Sequence, residues 1–279
     1  MKNQEQKNDN KGPAQKNKAK KPPQPAVRKA EQSRRTEQSR RTEQTRKSTK
    51  KPAPQGTAAP KRSILRPNTP AKTDPLKIIP LGGLNEIGKN ITLLEYKNDI
   101  MLIDCGMSFP DDDMYGIDIV IPDFTYLVKN ANKVKGLILT HGHEDHIGAI
   151  PYLLQQLNIP VYGTRLTLGL VENKLKEHGI TGNLNRINAG DKVRIGVFDV
   201  ETIRTTHSIA DSICLSINTP VGTVFHTGDF KVDYTPVDGE PINFARLAEI
   251  GHRGIKLLMA DSTNAIRPGY TASEKAVGQ

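Results

Sequence analysis

Residues 141–146 read His-Gly-His-Glu-Asp-His, which places three of the chain's seven histidines beside a carboxylate in one short turn. Imidazole and carboxylate together are the donor set of zinc and other first-row divalent ions. Chance histidines in a polar loop would be scattered. Here they follow an apolar run, Leu137-Ile138-Leu139, that ends in Thr140. After them Ile147, Ile150, Leu154 and Leu157 recur at helical spacing. The pattern predicts a buried strand that hands over to one amphipathic helix, with the donors in the turn between.

Two further donors stand where other strands should end. The segment VFDVETIRTT runs into His207-Ser208, and GTVFHT runs into Gly228-Asp229. The candidate ligands are therefore His141, His143, Asp145, His146, His207 and Asp229. Six donors exceed the needs of one tetrahedral ion and suit two ions a few ångström apart that share a carboxylate. Asp145 is also a candidate catalytic residue, placed to accept a proton from an attacking water. Asp104, at the end of another apolar strand, is a candidate for orienting a histidine N–H, or else caps a turn. His226 lies inside an apolar run and reads as a core residue. Asp261-Ser262-Thr263-Asn264 follows a further apolar run, and either lines the cleft or caps a turn.

The elements that must position these groups can be read in outline. Strands are expected at 76–81, 91–96 and 100–106, the last two joined by a hairpin turn at Asn98-Asp99. A short helix is expected at 124–129, a strand at 134–140, another at 160–163, and a helix from Thr164 to His178 that ends at Gly179. Strands then dominate, at 192–195, 198–205, 212–218, 222–226 and 256–260. Paired strands followed by strands interleaved with helices give an α/β class, a mixed sheet with helices packed outside.

Charge divides the chain. Residues 1–72 carry 21 basic and 5 acidic residues, whereas the remainder carries 19 basic against 25 acidic, a net −6. The first segment has no aromatic residue and few aliphatic ones, so it cannot bury enough apolar surface to offset its ordering entropy and is expected to be disordered. Within it a hexad repeat, EQSRRT-EQSRRT-EQTRKS, spans Glu31 to Ser48. Its Arg34, Arg35, Arg40, Arg41, Arg46 and Lys47 are candidate nucleic-acid contacts, an electrostatic tether for polyphosphate backbones. A solubility tail is the alternative. Without aromatics there is no base stacking, so binding should be sensitive to salt and blind to sequence.

The two cysteines, Cys105 and Cys214, each sit in an apolar run and read as buried reduced thiols. The N-terminus lacks the apolar core of a secretory signal, and no apolar run approaches the roughly 20 residues that span a bilayer. The expected setting is cytoplasmic, with no membrane association.

HGHEDH resembles the H-x-H-x-D-H signature of the metallo-β-lactamase superfamily, and LIDCG, TTHS and HTGDF resemble its other ligand-bearing segments in the expected order. PLGGLNEIGKN, GIDIVIPDFTYL, RTTHSIADS, GDFKVD and MADSTNAIRPGY resemble the bacterial ribonuclease J family, a β-CASP member of that superfamily. The resemblance covers about residues 76–279. It implies an αββα sandwich over 73–279 with two zinc ions, although the same residue types also take manganese. His141, His143 and His207 would hold one ion, Asp145 and His146 the other, and Asp229 would bridge them. It also implies a zinc-dependent ribonuclease of RNA maturation and decay, cleaving single-stranded RNA both 5′-to-3′ and endonucleolytically. A homo-oligomer is implied for the full-length protein, with other RNA-decay factors as partners. In the family a β-CASP insert begins soon after the segment like DSTNAIRPGYT, so the resemblance implies an N-terminal portion with the sandwich incomplete on its C-terminal side. Alternatives on the same scaffold are a hydrolase of small esters or lactams, and a non-catalytic RNA-binding module.

Overall fold

The strand Asp99–Ile103 is buried on both faces, with Ile100, Met101, Leu102 and Ile103 all at 1% exposure or less. Successive strand side chains point to opposite faces. Ile100 and Leu102 accordingly join Leu93, Leu137 and Leu153 in one core, while Met101 and Ile103 join Phe198, Val200 and Leu215 in another. A strand with two apolar faces needs a layer on each side. The computed structural model, which describes residues 74–237 and 240–277, supplies helices on one side and a second sheet on the other.

The first sheet has the order β1 (Lys77–Gly82), β2 (Ile91–Tyr96), β3 (Asp99–Ile103), β4 (Val134–Ile138), β5 (Pro160–Gly163) and β6 (Asn183–Arg186). Its first three strands are antiparallel neighbours, and β3 to β6 run parallel. The second sheet contains β7 (Lys192–Ile195), β8 (Phe198–Arg204), β9 (Ile213–Thr219), β10 (Gly222–His226) and β11 (Leu257–Met259), ordered β11-β10-β9-β8-β7. Strands β7 to β10 are antiparallel neighbours, and β11 runs parallel to β10. The helices are α1 (Thr125–Lys129), α2 (Glu144–Ile147), α3 (Ile150–Leu154), α4 (Arg165–Glu177), α5 (Phe244–Arg253) and α6 (Glu274–Val277). Residues of α1, α3 and α4 cover the outer face of the first sheet, and Leu247 and Ile250 of α5 cover Ile203, Cys214 and Phe225 on the outer face of the second. This is the layered αββα arrangement of the metallo-β-lactamase fold.

Several local expectations shift. Two sheets replace the one mixed sheet that strand periodicity suggested, because a run buried on both faces does not disclose what covers its second face. The helix after the donors is broken in two. Ala149 N–H donates to the Cys105 carbonyl at 3.0 Å, and Pro151 in the first turn of α3 has no N–H to give. The hairpin loop is Lys97-Asn98, one residue earlier than expected, because Asp99 pairs with Tyr96. Strand β6 and helices α5 and α6 were not anticipated. The basic segment 1–72, with Arg34, Arg35, Arg40, Arg41, Arg46 and Lys47, lies outside the described residues. Among the described residues no helix is long and apolar enough to cross a membrane.

The turn after β4 is held by backbone bonds from two other loops. Asn90 N–H donates to Asp145 O at 3.0 Å, Cys105 N–H to His146 O at 2.7 Å and Met107 N–H to Glu144 O at 3.1 Å. Gly106 permits this approach, since a Cβ there would overlap the Asp145 carbonyl. Gly106→Ala should therefore cost roughly 1–3 kcal/mol of stability and displace the donor turn. Thermal denaturation with and without added zinc would check this. A variant that keeps both the wild-type midpoint and the wild-type zinc stabilisation would remove Gly106 from this role.

Candidate metal centre

Every candidate donor sits just beyond the C-terminal end of a strand. Asp104 follows β3, the 141–146 turn follows β4, His207 follows β8 and Asp229 follows β10. The parallel run β3–β4 and the parallel relation of β8 to β10 place these ends on one rim. Ile213 N–H donates to Thr140 O at 3.0 Å and so ties the two sheets together there.

One buried carboxylate organises the imidazoles. Asp104 is 2% exposed and takes a left-handed backbone, φ 59°. Its Oδ1 accepts from Thr140 N–H and its Oδ2 from the Thr140 hydroxyl, both at 2.8 Å. The same Oδ2 lies 2.8 Å from His146 Nδ1, so His146 donates through Nδ1. Thr140 Oγ1 has already given its proton to Asp104 and must accept from His141 Nδ1, 3.0 Å away. In its neutral form each histidine is thereby fixed in the tautomer that leaves Nε2 as a bare lone pair.

These lone pairs converge. His141 Nε2 is 3.1 Å from His143 Nδ1, and His207 Nε2 is 3.2 Å from the same atom. Donors around a tetrahedral ion at about 2.0–2.1 Å stand roughly 3.3 Å apart, so the spacing suits a first-row cation. Among the described residues two sets converge with all donors of a set within 4.8 Å of one another: His141, His143 and His207, and His141, His146 and Asp229. Asp229 faces both, its Oδ1 3.4 Å from His146 Nε2 and its Oδ2 3.8 Å from His207 Nε2. Asp145 belongs to neither set and stands beside the second, with Oδ2 3.5 Å from His146 Nε2.

The electrostatics favour added positive charge. Burial and the neighbouring imidazoles hold His141 far below its usual pKa, and burial also lowers His207. For His146 burial opposes the charge, but the carboxylates of Asp104, Asp145 and Asp229 prevail and raise it well above 6.5. Asp145 and Asp229 are held below their ordinary value despite burial, because His146 bonds to them. Asp104, Asp145 and Asp229 thus gather negative charge around one imidazole. A divalent cation would take over that balance.

Three positioning residues went unnoticed in the sequence. Asn90 Nδ2 donates to Asp145 O at 3.0 Å and lies 3.1 Å from His146 Nε2. Thr140 carries the relay just described. His226, expected in the core, is half-buried, and its Nδ1 accepts from Gly228 N–H at 3.0 Å, which braces the turn bearing Asp229. No spacing rule marks any of them: Asn90 reaches Asp145 and His146 from a distant loop, Thr140 needs Asp104 to orient its hydroxyl, and His226 acts on a local turn. Asp261 and Ser262 join Asp145, His146 and Asp229 in lining a cavity of about 830 Å³. Cys105, beside Asp104, and Cys214 are both buried. Burial pushes the Cys105 thiol far up and that of Cys214 up to about 11.

Asp104→Asn keeps the shape but loses the charge that sets the His146 tautomer. It should lower zinc affinity about 10–100-fold, read by competition against a chromogenic chelator. Unchanged affinity would show that the tautomer relay does not matter for binding.

The family description "Metallo-beta-lactamase superfamily" matches residues 84–268. Ribonuclease J of Synechocystis sp. is 53% identical over 210 residues, 74% of this chain and 33% of that protein. Ribonuclease J of Thermus thermophilus is 46% identical over 215 residues, 74% of this chain and 38% of that protein. Ribonuclease J2 of Bacillus subtilis is 45% identical over 207 residues, 74% of this chain and 37% of that protein. The chain thus spans between 33% and 38% of the length of these curated relatives. A solved structure, a protein of unknown function from Enterococcus faecalis V583, shares the fold with a TM-score of 0.55 at 18% identity, over 71% of this chain and 52% of that one. With the donors on one sandwich rim and the family match extending over most of the described residues, the chain belongs to the metallo-β-lactamase superfamily.

Proposed function

We propose that the chain is the metal-binding part of a ribonuclease that hydrolyses phosphodiester bonds of single-stranded RNA. The observation that carries this reading is the convergence of His141, His143, His207, His146 and Asp229 on one rim, in a chain 42–53% identical to proteins named ribonuclease J. His141, His143 and His207 would hold one zinc ion, Asp145 and His146 a second, and Asp229 would bridge. The two oxygens of Asp229 facing different imidazoles support the bridging role. Manganese would suit the same donors.

Divalent ions held by these residues would lower the pKa of a water toward neutrality and offset charge on the non-bridging phosphate oxygens. The protein's own residues supply order. Asp104 and Thr140 engage the Nδ1 atoms of His146 and His141, which leaves both Nε2 atoms aimed inward to bind an ion. Asn90 holds the backbone of Asp145, whose carboxylate is kept ionised and can accept a proton. Neither a serine nor a cysteine nucleophile is needed, and both thiols are buried.

We extend this reading, on the sequence resemblance to the ribonuclease J family, to maturation and decay of RNA by 5′-to-3′ exonucleolytic and endonucleolytic cleavage in the cytoplasm. The complete enzyme would be a homo-oligomer working with other RNA-decay factors. The segment 1–72, through Arg34, Arg35, Arg40, Arg41, Arg46 and Lys47, would tether RNA electrostatically.

The test is metal content together with turnover. The complete wild-type enzyme should carry two ions, His143→Ala in it should lose at least one, and Asp145→Ala in it should slow cleavage of labelled single-stranded RNA about 10²–10⁴-fold. A chromogenic thioester should be a poor substrate. Wild-type metal content and turnover in His143→Ala, or a preference for the thioester, would sink the assignment.

A further inference from the structure

Arg165, Arg186 and Arg204 line a second cavity, of about 330 Å³, with Asn188, Asp211 and Ser212 on its wall. All three arginines come from the rim that bears the donors. Arg186 ends β6, Arg204 ends β8 three residues before His207, and Arg165 opens α4 just after β5. The metal turn lies against this region, since a Cβ on Gly142 would meet Leu170, Ile209 and the Thr167 backbone. Thr167 belongs to the first turn of α4, whose first residue is Arg165.

Residues 73–279 carry a net −6, so three guanidinium groups around one cavity run against the average charge of the body. Asp211 is the acid of that wall and is already engaged, with Oδ2 accepting from Leu166 N–H at 3.1 Å. Arg204 pairs with Glu240 at 3.3 Å. Arg186 reaches Asn188 Oδ1 only at 3.5 Å, the limit of a hydrogen bond. The Arg165 side chain has no hydrogen bond or ion pair with another described residue. Two forked cations therefore border the cavity with most of their donors unspent, in a geometry suited to the oxygens of a phosphate.

We infer that this cavity is a phosphodiester subsite, binding a backbone phosphate of single-stranded nucleic acid a short way along the strand from the metal centre. The inference rests on the nuclease reading for its ligand, but binding tests it without turnover. Phenylglyoxal labelling of the full chain, located by mass spectrometry, should show Arg165 and Arg186 protected by a short single-stranded RNA, with exposed Arg194 unchanged. The same protection should persist in His143→Ala. The double variant Arg165→Ala/Arg186→Ala should reduce the slope of log affinity against log salt by roughly 0.7, the contribution of the one phosphate that is no longer neutralised. Its bound-metal content should stay at the wild-type level. Protection by inorganic phosphate but not by RNA, protection by an acidic peptide instead, or labelling and slope both unchanged would overturn the subsite. If those binding results hold while the complete enzyme fails to cleave RNA, the nuclease reading fails and the subsite stands.

Discussion

The bond between Asp104 and the two imidazoles it controls is the constraint on which the site depends. A histidine offers a metal either ring nitrogen, and a tautomer free to exchange would blur the geometry. Asp104 removes that freedom twice, directly at His146 and through the Thr140 hydroxyl at His141. A buried carboxylate needs compensation, and here two N–H donors and a hydroxyl provide it. Its left-handed backbone is tolerable because aspartate is one of the few residues that adopt this conformation readily.

The sandwich exists to bring strand ends together. Parallel pairing of β3 with β4 places Asp104 beside the 141–146 turn, and the second sheet delivers His207 and Asp229 from the opposite layer. Neither sheet alone carries both sets of donors. The Ile213–Thr140 bond and the shared core of Ile138, Phe198 and Leu215 keep the rims in register, so the apolar packing sets the metal geometry at a distance.

Much of this was legible in the residues. The strand before His141 shows as Leu137-Ile138-Leu139 because a strand buried on both faces is continuously apolar. Helix α4 shows both its ends, with Thr164 as the N-terminal boundary and Gly179, at φ 66°, just past the last turn. The donors show because histidines clustered at a strand end have few other uses. What stayed hidden depends on contacts distant in sequence. The break between α2 and α3 follows from Ala149 bonding to Cys105. Strand β6 reads as Asn-Leu-Asn-Arg, too polar and short to announce itself at a sheet edge. Helix α5 buries only a narrow stripe and is fastened by Arg246 to Glu201, a charge pair that no periodicity records. The partition of donors into two sets came only with the resemblance.

The two thiols carry a last consequence. Cys105 lies next to Asp104 at the edge of the centre, yet it is fully buried, and its ionisation is suppressed, as is that of Cys214. Thiolates are the species that peroxides and disulfides attack. The donor set is nitrogen and oxygen throughout, and the nearby sulfur is held in its unreactive form. Neither cysteine is among the candidate donors, so an oxidant that strips zinc from a cysteine-ligated site would find no sulfur ligand to attack here.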